Sequence, residues 1–207
     1  MAIGKRARRR RARFQPHGFH STTRNRAKGQ VKMSKSIYFG GSRHLGNLPI
    51  VAQVVGAVVK AGHSVHVGCQ FGADAQVITA WLSARPVHST GLHMFSVSQT
   101  PPPWFSAPAI LGASVTLSAG GTSAPIPARY LLRSIAAFQG CAVAVFFYPG
   151  AGSLAVAREC VRSGLQVFAF QQAAPALIPS VSGHWVASSF AGFSCWQWVA
   201  PAQLSLF

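Results

Sequence analysis

Carboxylates are nearly missing from this chain. Among 207 residues only Asp74 and Glu159 are acidic, against 19 lysines and arginines, for a formal net charge of +17. Two isolated acids do not readily supply the paired acid and base that many hydrolases use. Cysteine is scarce as well: Cys69, Cys141, Cys160 and Cys195 are widely spaced, with no CxxC pair. That spacing argues against a zinc site, and no metal is expected. A chain of this length does not need disulfides to hold a core, so a reducing cytoplasm is the expected compartment. Each cysteine reads as a small apolar residue of the interior. Long apolar runs are also absent. The longest, near Cys141–Tyr148, falls well short of the ~20 residues a spanning helix needs. No apolar signal core follows the basic amino terminus, so neither membrane insertion nor secretion is expected.

What the chain has instead is arginine, unevenly placed. Twelve of the 19 bases lie in residues 1–35. Lys5, Arg6, Arg8, Arg9, Arg10, Arg11, Arg13, Arg24 and Arg26 stand there among few apolar residues and with no periodicity. Like charges repel, so residues 1–33 read as a disordered basic arm. Such an arm binds phosphates without reading sequence. Phe14 and Phe19 can stack on unpaired bases. The expected partner is nucleic acid, whether duplex DNA, single-stranded DNA or RNA. A localisation signal or a solvated tail is the alternative.

The body is organised around Ser36–Asp74. Ser36–Phe39 reads as a strand and Gly40-Gly41-Ser42-Arg43 breaks it. Pro49 suits the first turn of a helix. Val51, Val54, Val55, Val58 and Val59 recur at helical spacing, Gly62 ends that helix, and Val65–Val67 starts the next strand. A βαβ unit of this kind predicts a parallel sheet with right-handed crossovers. Glycine turns follow the first and second strands, Gly40–Arg43 and Gly68–Asp74. A third, Pro149-Gly150-Ala151-Gly152-Ser153, lies between a later strand and helix. Glycine turns let backbone N–H groups approach an anion at a helix amino terminus. Three in register at the carboxyl edge of a sheet suggest a phosphate site, and glycines that merely close tight turns are the alternative. Gly40, Gly41, Ser42, Arg43, Gly68, Gly72, Ala73, Asp74, Gly150, Gly152 and Ser153 are the candidate ligand residues. Arg43 suits a bidentate phosphate contact. Asp74 reads first as a helix amino-terminal cap, with a ribose hydroxyl or the loop itself as alternative partners. His44 has no obvious metal partners, and His63 and His66 read as ordinary surface or core histidines.

Further along, Gly91–Val97 and Ala113–Leu117 read as strands. Between them, Ser98–Pro108 carries Trp104 and Phe105 behind three prolines, as a lid or as an irregular connection. Pro127–Phe138 reads as a helix with Arg129 and Arg133 on one face, turned to solvent more readily than to a site. Ala142–Tyr148 has the unbroken apolar character of a central parallel strand. Gly152–Ser163 is the next helix and Leu165–Phe170 the next strand. His184–Ser188 suits an edge strand, and Phe190, Phe193, Trp196 and Trp198 an aromatic extension packed on the body.

Gly41-Ser42-Arg43, Gly72-Ala73-Asp74 and Gly152-Ser153, in that order, resemble the SLOG superfamily. This group joins the DNA-processing protein DprA (Smf) to LOG-type nucleotide phosphoribohydrolases and nucleotide sensors. The resemblance covers roughly Ser36 to Gln171. It implies an α/β, Rossmann-like three-layer sandwich with a mostly parallel sheet, binding a nucleotide, a nucleotide derivative or single-stranded DNA. The phosphoribohydrolase branch carries PGGxGTxxE. Here the glutamate position is Val156, and Glu159 lies beyond it, so the hydrolase reading weakens. Asp74 and Glu159 remain the candidate catalytic carboxylates.

The last five residues, Gln203-Leu204-Ser205-Leu206-Phe207, are similar to the bacterial sliding-clamp-binding pentapeptide at every position. That similarity implies that Leu206 and Phe207 fill an apolar pocket while Gln203 hydrogen-bonds at its edge; packing onto the protein's own core is the alternative. Four segments are expected: the disordered basic arm 1–33, a Rossmann-type domain 34–172, an aromatic-rich extension 173–202 and the clamp-binding motif 203–207. The function expected is a DprA-like nucleotide- or DNA-binding protein of replication, recombination or repair, cytoplasmic and nucleoid-associated, able to form a homo-oligomer. A nucleotide-derivative hydrolase or a nucleotide-signal sensor using the same pocket is the alternative. No cofactor is expected beyond a nucleotide or nucleotide-derived ligand.

Overall fold

The structure is a computed structural model and describes residues 35–84, 91–100 and 112–201. The arm, the Trp104–Phe105 segment and the terminal pentapeptide lie outside the described residues. The first βαβ unit forms as its pattern predicts, with β1 at Ser36–Gly41, α1 at Pro49–Lys60 and β2 at Ser64–Gly68. Helix α2 (Ala73–Ala84), β3 (Leu92–Phe95), β4 (Ser114–Thr116) and α3 (Ile126–Phe138) follow. Then come β5 (Val143–Phe147), α4 (Ala151–Arg162), β6 (Gln166–Phe170), β7 (His184–Phe190) and β8 (Phe193–Val199). None of the described helices is long and apolar enough to cross a membrane.

The strands form one eight-stranded sheet in the order β4-β3-β2-β1-β5-β6-β8-β7. Strands β1 to β6 are parallel, and β7 and β8 are antiparallel additions. This is the mostly parallel α/β sandwich expected. Residues of β1 and β5 alternate between two cores. Ile37, Phe39, Val143, Val145 and Phe147 meet α1 and α2, whereas Tyr38, Ala144 and Phe146 meet α3 and α4. Burial on both faces explains why the β5 sequence is an unbroken apolar run.

The carboxyl-terminal extension goes beyond packing on the body. Phe193–Val199 is a full strand, β8, inserted between β6 and the edge strand β7. Ala191 and Gly192, at φ 52° and 85°, make the two-residue turn that joins them. Turns with two positive φ angles match the twist of a hairpin. Because Gln197 pairs with Phe168, β8 runs back toward the start of β6. Ser36 at the start of β1 and Val199 at the end of β8 therefore share the amino edge of the sheet. About three strand spacings, roughly 14 Å, separate them.

Candidate functional site

The strand order reverses between β1 and β5, and in open α/β sheets ligands collect at such a point, beyond the carboxyl ends of the strands. The first glycine turn follows β1 and the third follows β5, so the fold brings them side by side. Ser153 Oγ donates to the Gly41 carbonyl at 2.9 Å, and the Ser42 amide donates to the Phe147 carbonyl at 3.1 Å. A Cβ on Gly41 would come within 2.3 Å of that same Phe147 oxygen, so the close approach requires glycine. The second turn is stitched behind the first: the Ala73 amide donates to the Ser42 carbonyl at 3.0 Å, and a Cβ on Gly72 would sit 2.4 Å from it.

Together these turns open a cleft of about 510 Å³, within the usual size of small-molecule sites. Gly40, Gly41, Ser42, Arg43, Asp74, Gly150, Gly152 and Ser153 all line it. Gly150 and Gly152 have nothing within 4 Å of where a Cβ would stand. The protein's own packing therefore leaves the backbone of the third turn, at the amino terminus of α4, open to the cleft. A second groove, of about 470 Å³ between α1 and α2, has no charged lining residue.

Gly68, Gly72 and Ala73 do not line the cleft. Gly68 instead makes room for its floor: a Cβ there would lie 1.6 Å from Arg133 Nη1 and 2.4 Å from Asp74 Oδ2. These two side chains form a buried ion pair at 3.2 Å. The Gln70 amide also donates to Asp74 Oδ2, at 3.1 Å. Asp74 thus orders its loop and neutralises an arginine, which corrects its first reading as a helix cap. Arg133 is correspondingly not on a solvated face; it is 7% exposed. Its Nη2 donates to Ser134 Oγ, which in turn donates to the Tyr130 carbonyl. Arg129 is turned inward too, donating to the Val97 carbonyl.

Burial governs the chemistry of this floor. It pushes the Asp74 carboxyl up, while the Arg133 guanidinium and the Gln70 amide pull it back in part. Burial opposes the Arg133 charge, but the Asp74 carboxylate holds its pKa up. Burial also pushes the Tyr38 hydroxyl far above its ordinary range, so this cleft-lining group stays protonated. The cysteines behave as apolar residues: burial raises Cys69 and Cys160 strongly, Cys141 to about 12 and Cys195 to about 11.

Glu159, the other candidate carboxylate, is not in the cleft. It pairs with Arg158 at 2.7 Å and Arg162 at 3.3 Å on α4. The cleft wall carries Val156 instead. Sequence reasoning also missed Gln70, Tyr38, Tyr130 and Ser134 as cleft residues. Tyr38 had a detectable signal, a lone hydroxyl next to the first glycine turn. The guanidinium of Arg43 lies over the ring of Tyr130, 5.2 Å from its centroid.

No protein-family model matches the chain, and no curated protein matches it. Solved structures do. DNA processing protein A (DprA) from Streptococcus pneumoniae aligns with a TM-score of 0.52 and 16% identity, over 68% of this chain and 51% of that one. DNA processing protein A from Helicobacter pylori, whose structure describes a single-stranded DNA binding mode, aligns with a TM-score of 0.52 and 16% identity. That match covers 67% of this chain and 66% of the other. The chain thus spans about half the length of the pneumococcal protein. The likeness establishes a shared Rossmann-like fold.

Proposed function

We propose that the cleft binds the phosphate of a nucleotide or of a DNA strand, and that the protein serves DNA replication, recombination or repair. The observation that carries this reading is the junction of the first and third turns by the Ser153–Gly41 hydrogen bond, with the open backbone of Gly150 and Gly152 beside it. Arg43 is exposed at the mouth and lines the same cleft. The shared fold with two DNA processing proteins, one with a described single-stranded DNA binding mode, supports DNA over a free metabolite. In this proposal Lys5 to Arg26 of the arm hold nucleic acid without sequence preference, and Gln203–Phe207 dock on a bacterial sliding clamp.

The cleft gives little support to hydrolysis. Its one carboxylate, Asp74, is committed to Arg133.

Binding of a fluorescent single-stranded oligonucleotide to the full chain tests the main reading. Six to ten phosphate contacts from the arm would lower affinity about 10³- to 10⁵-fold between about 50 and 200 mM salt. Deleting residues 1–33 should remove most of that slope, and Arg43→Ala should weaken what remains. Binding indifferent to both changes would defeat the proposal. The clamp portion is tested separately by titrating a clamp with the full chain and with the Leu206→Ala/Phe207→Ala variant.

A further inference from the structure

We infer that Tyr130 is a stacking platform for the base of the bound nucleotide, and that Arg43, which lies over its ring, is the cover the base displaces. The inference rests on the proposed nucleotide- or strand-binding role of the cleft and names which part of the ligand the ring reads.

Arg43 and Tyr130 reach the cleft from different elements. Arg43 belongs to the first glycine turn, which Ser153 ties to the third. Tyr130 belongs to α3, whose next turn is fixed by the buried Arg133 and Ser134. Both side chains line the cleft, and they meet at 5.2 Å. The other cleft arginine, Arg133, is neutralised by Asp74, so Arg43 carries the positive charge available to a phosphate. Among the described residues Arg43 forms no ion pair with a carboxylate, although it is near enough to Asp74 to help pull that carboxyl's pKa down. Its partner is an aromatic face, a weak hold at an exposed site. A phosphate offers the guanidinium a stronger, charge-assisted and bidentate alternative.

When Arg43 swings to a phosphate cradled by the third turn, the Tyr130 ring loses its cover. A half-buried aromatic face then lies bare within a cleft already holding a phosphate. An aromatic base stacks on such a face with little regard to its identity. The ligand class this arrangement selects is a phosphate attached to an aromatic base, over a bare sugar phosphate.

The experiment is calorimetric titration of the full chain with adenosine 5′-monophosphate, thymidine 5′-monophosphate and ribose 5-phosphate, for the natural protein, Tyr130→Phe, Tyr130→Ala and Arg43→Ala. Stacking predicts that both nucleotides bind about 10-fold or more tightly than ribose 5-phosphate. Tyr130→Phe should keep that preference. Tyr130→Ala should erase it while leaving ribose 5-phosphate binding intact or slightly stronger, because Arg43 is no longer held. Arg43→Ala should weaken all three ligands. If Arg43→Ala weakens all three but the preference survives Tyr130→Ala, the cleft binds nucleotides and the stacking inference is wrong. If no ligand binds, or Arg43→Ala changes nothing, the cleft reading itself fails and the inference falls with it.

Discussion

The two faces of the sheet are packed by different rules. Beneath α1 and α2 the interior is apolar: Val51, Val54, Val55 and Val58 meet Phe39, Val65, Val67 and Phe147, with Trp81 fully buried alongside. Apolar contact is non-directional, and its stabilisation scales with the area removed from water. The opposite face, toward α3, buries Arg133 and Ser134 and the protonated Tyr38, with Asp74 reaching over from α2. His66 and His93 face each other across β2 and β3, their rings 4.5 Å apart. A buried ion pair gains little over well-packed apolar groups, yet losing one partner is costly. Both faces have an apolar core, the second around Phe138, Phe146, Leu154 and Val167; the difference is that the α3 face adds the buried polar groups that lie under the cleft.

The sharpest way to break that contrast is to strand one charge. Arg133→Ala should cost about 3–5 kcal/mol in chemical denaturation, since it leaves Asp74 buried and unpaired. Adding Asp74→Asn should recover a substantial part of the loss; a purely additive double variant would mean the two residues are not coupled. A deletion on the apolar face should cost nearly as much but behave differently. Leu92→Ala should lose about 2–5 kcal/mol, with nucleotide affinity of the folded fraction unchanged. An affinity loss matching that of Arg43→Ala would erase the division between the faces.

Ser153→Ala should lower stability by only about 1 kcal/mol while weakening nucleotide binding, because it unties the third turn from the first. The smallest effect is on pH dependence. Burial lowers the pKa of His66 below its ordinary 6.5, although its Nδ1 donates to the Ala137 carbonyl at 2.8 Å; burial lowers His93 as well. Below about pH 6.5 the unfolded histidines take up protons first, so this stabilisation is complete above that pH and declines as the solution is acidified. Asp74 works in the opposite direction, because its raised pKa makes the folded state hold a proton more tightly. The melting temperature of His66→Asn/His93→Asn should therefore fall less between pH 7 and pH 5 than that of the natural protein. Equal falls would locate the acid sensitivity elsewhere.

Much of the apolar face was legible in the sequence, because its information is local. The valines of α1 repeat at helical spacing, and Ile37 and Phe39 alternate with Tyr38 along one strand. The glycine turns were legible for the same reason. The floor of the cleft was not. Arg129 and Arg133 sit four apart and look like any solvated helix stripe. Only three-dimensional assembly shows that Gly68, 65 positions before Arg133, leaves the space the guanidinium fills. Strand β8 escaped for a different reason: its aromatic density masked the Ala191-Gly192 turn, which marked a hairpin.

The shared amino edge of Ser36 and Val199 has a practical consequence. The cleft opens at the carboxyl edge, so an affinity handle, fluorophore or surface tether attached through either end of this body joins it at the opposite pole. Immobilised that way, the molecule would present its cleft outward, and force applied between the two attachment points would act across the strands. The β-ladders would then open pair by pair, as a zip does, and the molecule would be soft to pulling however stable it is to heat.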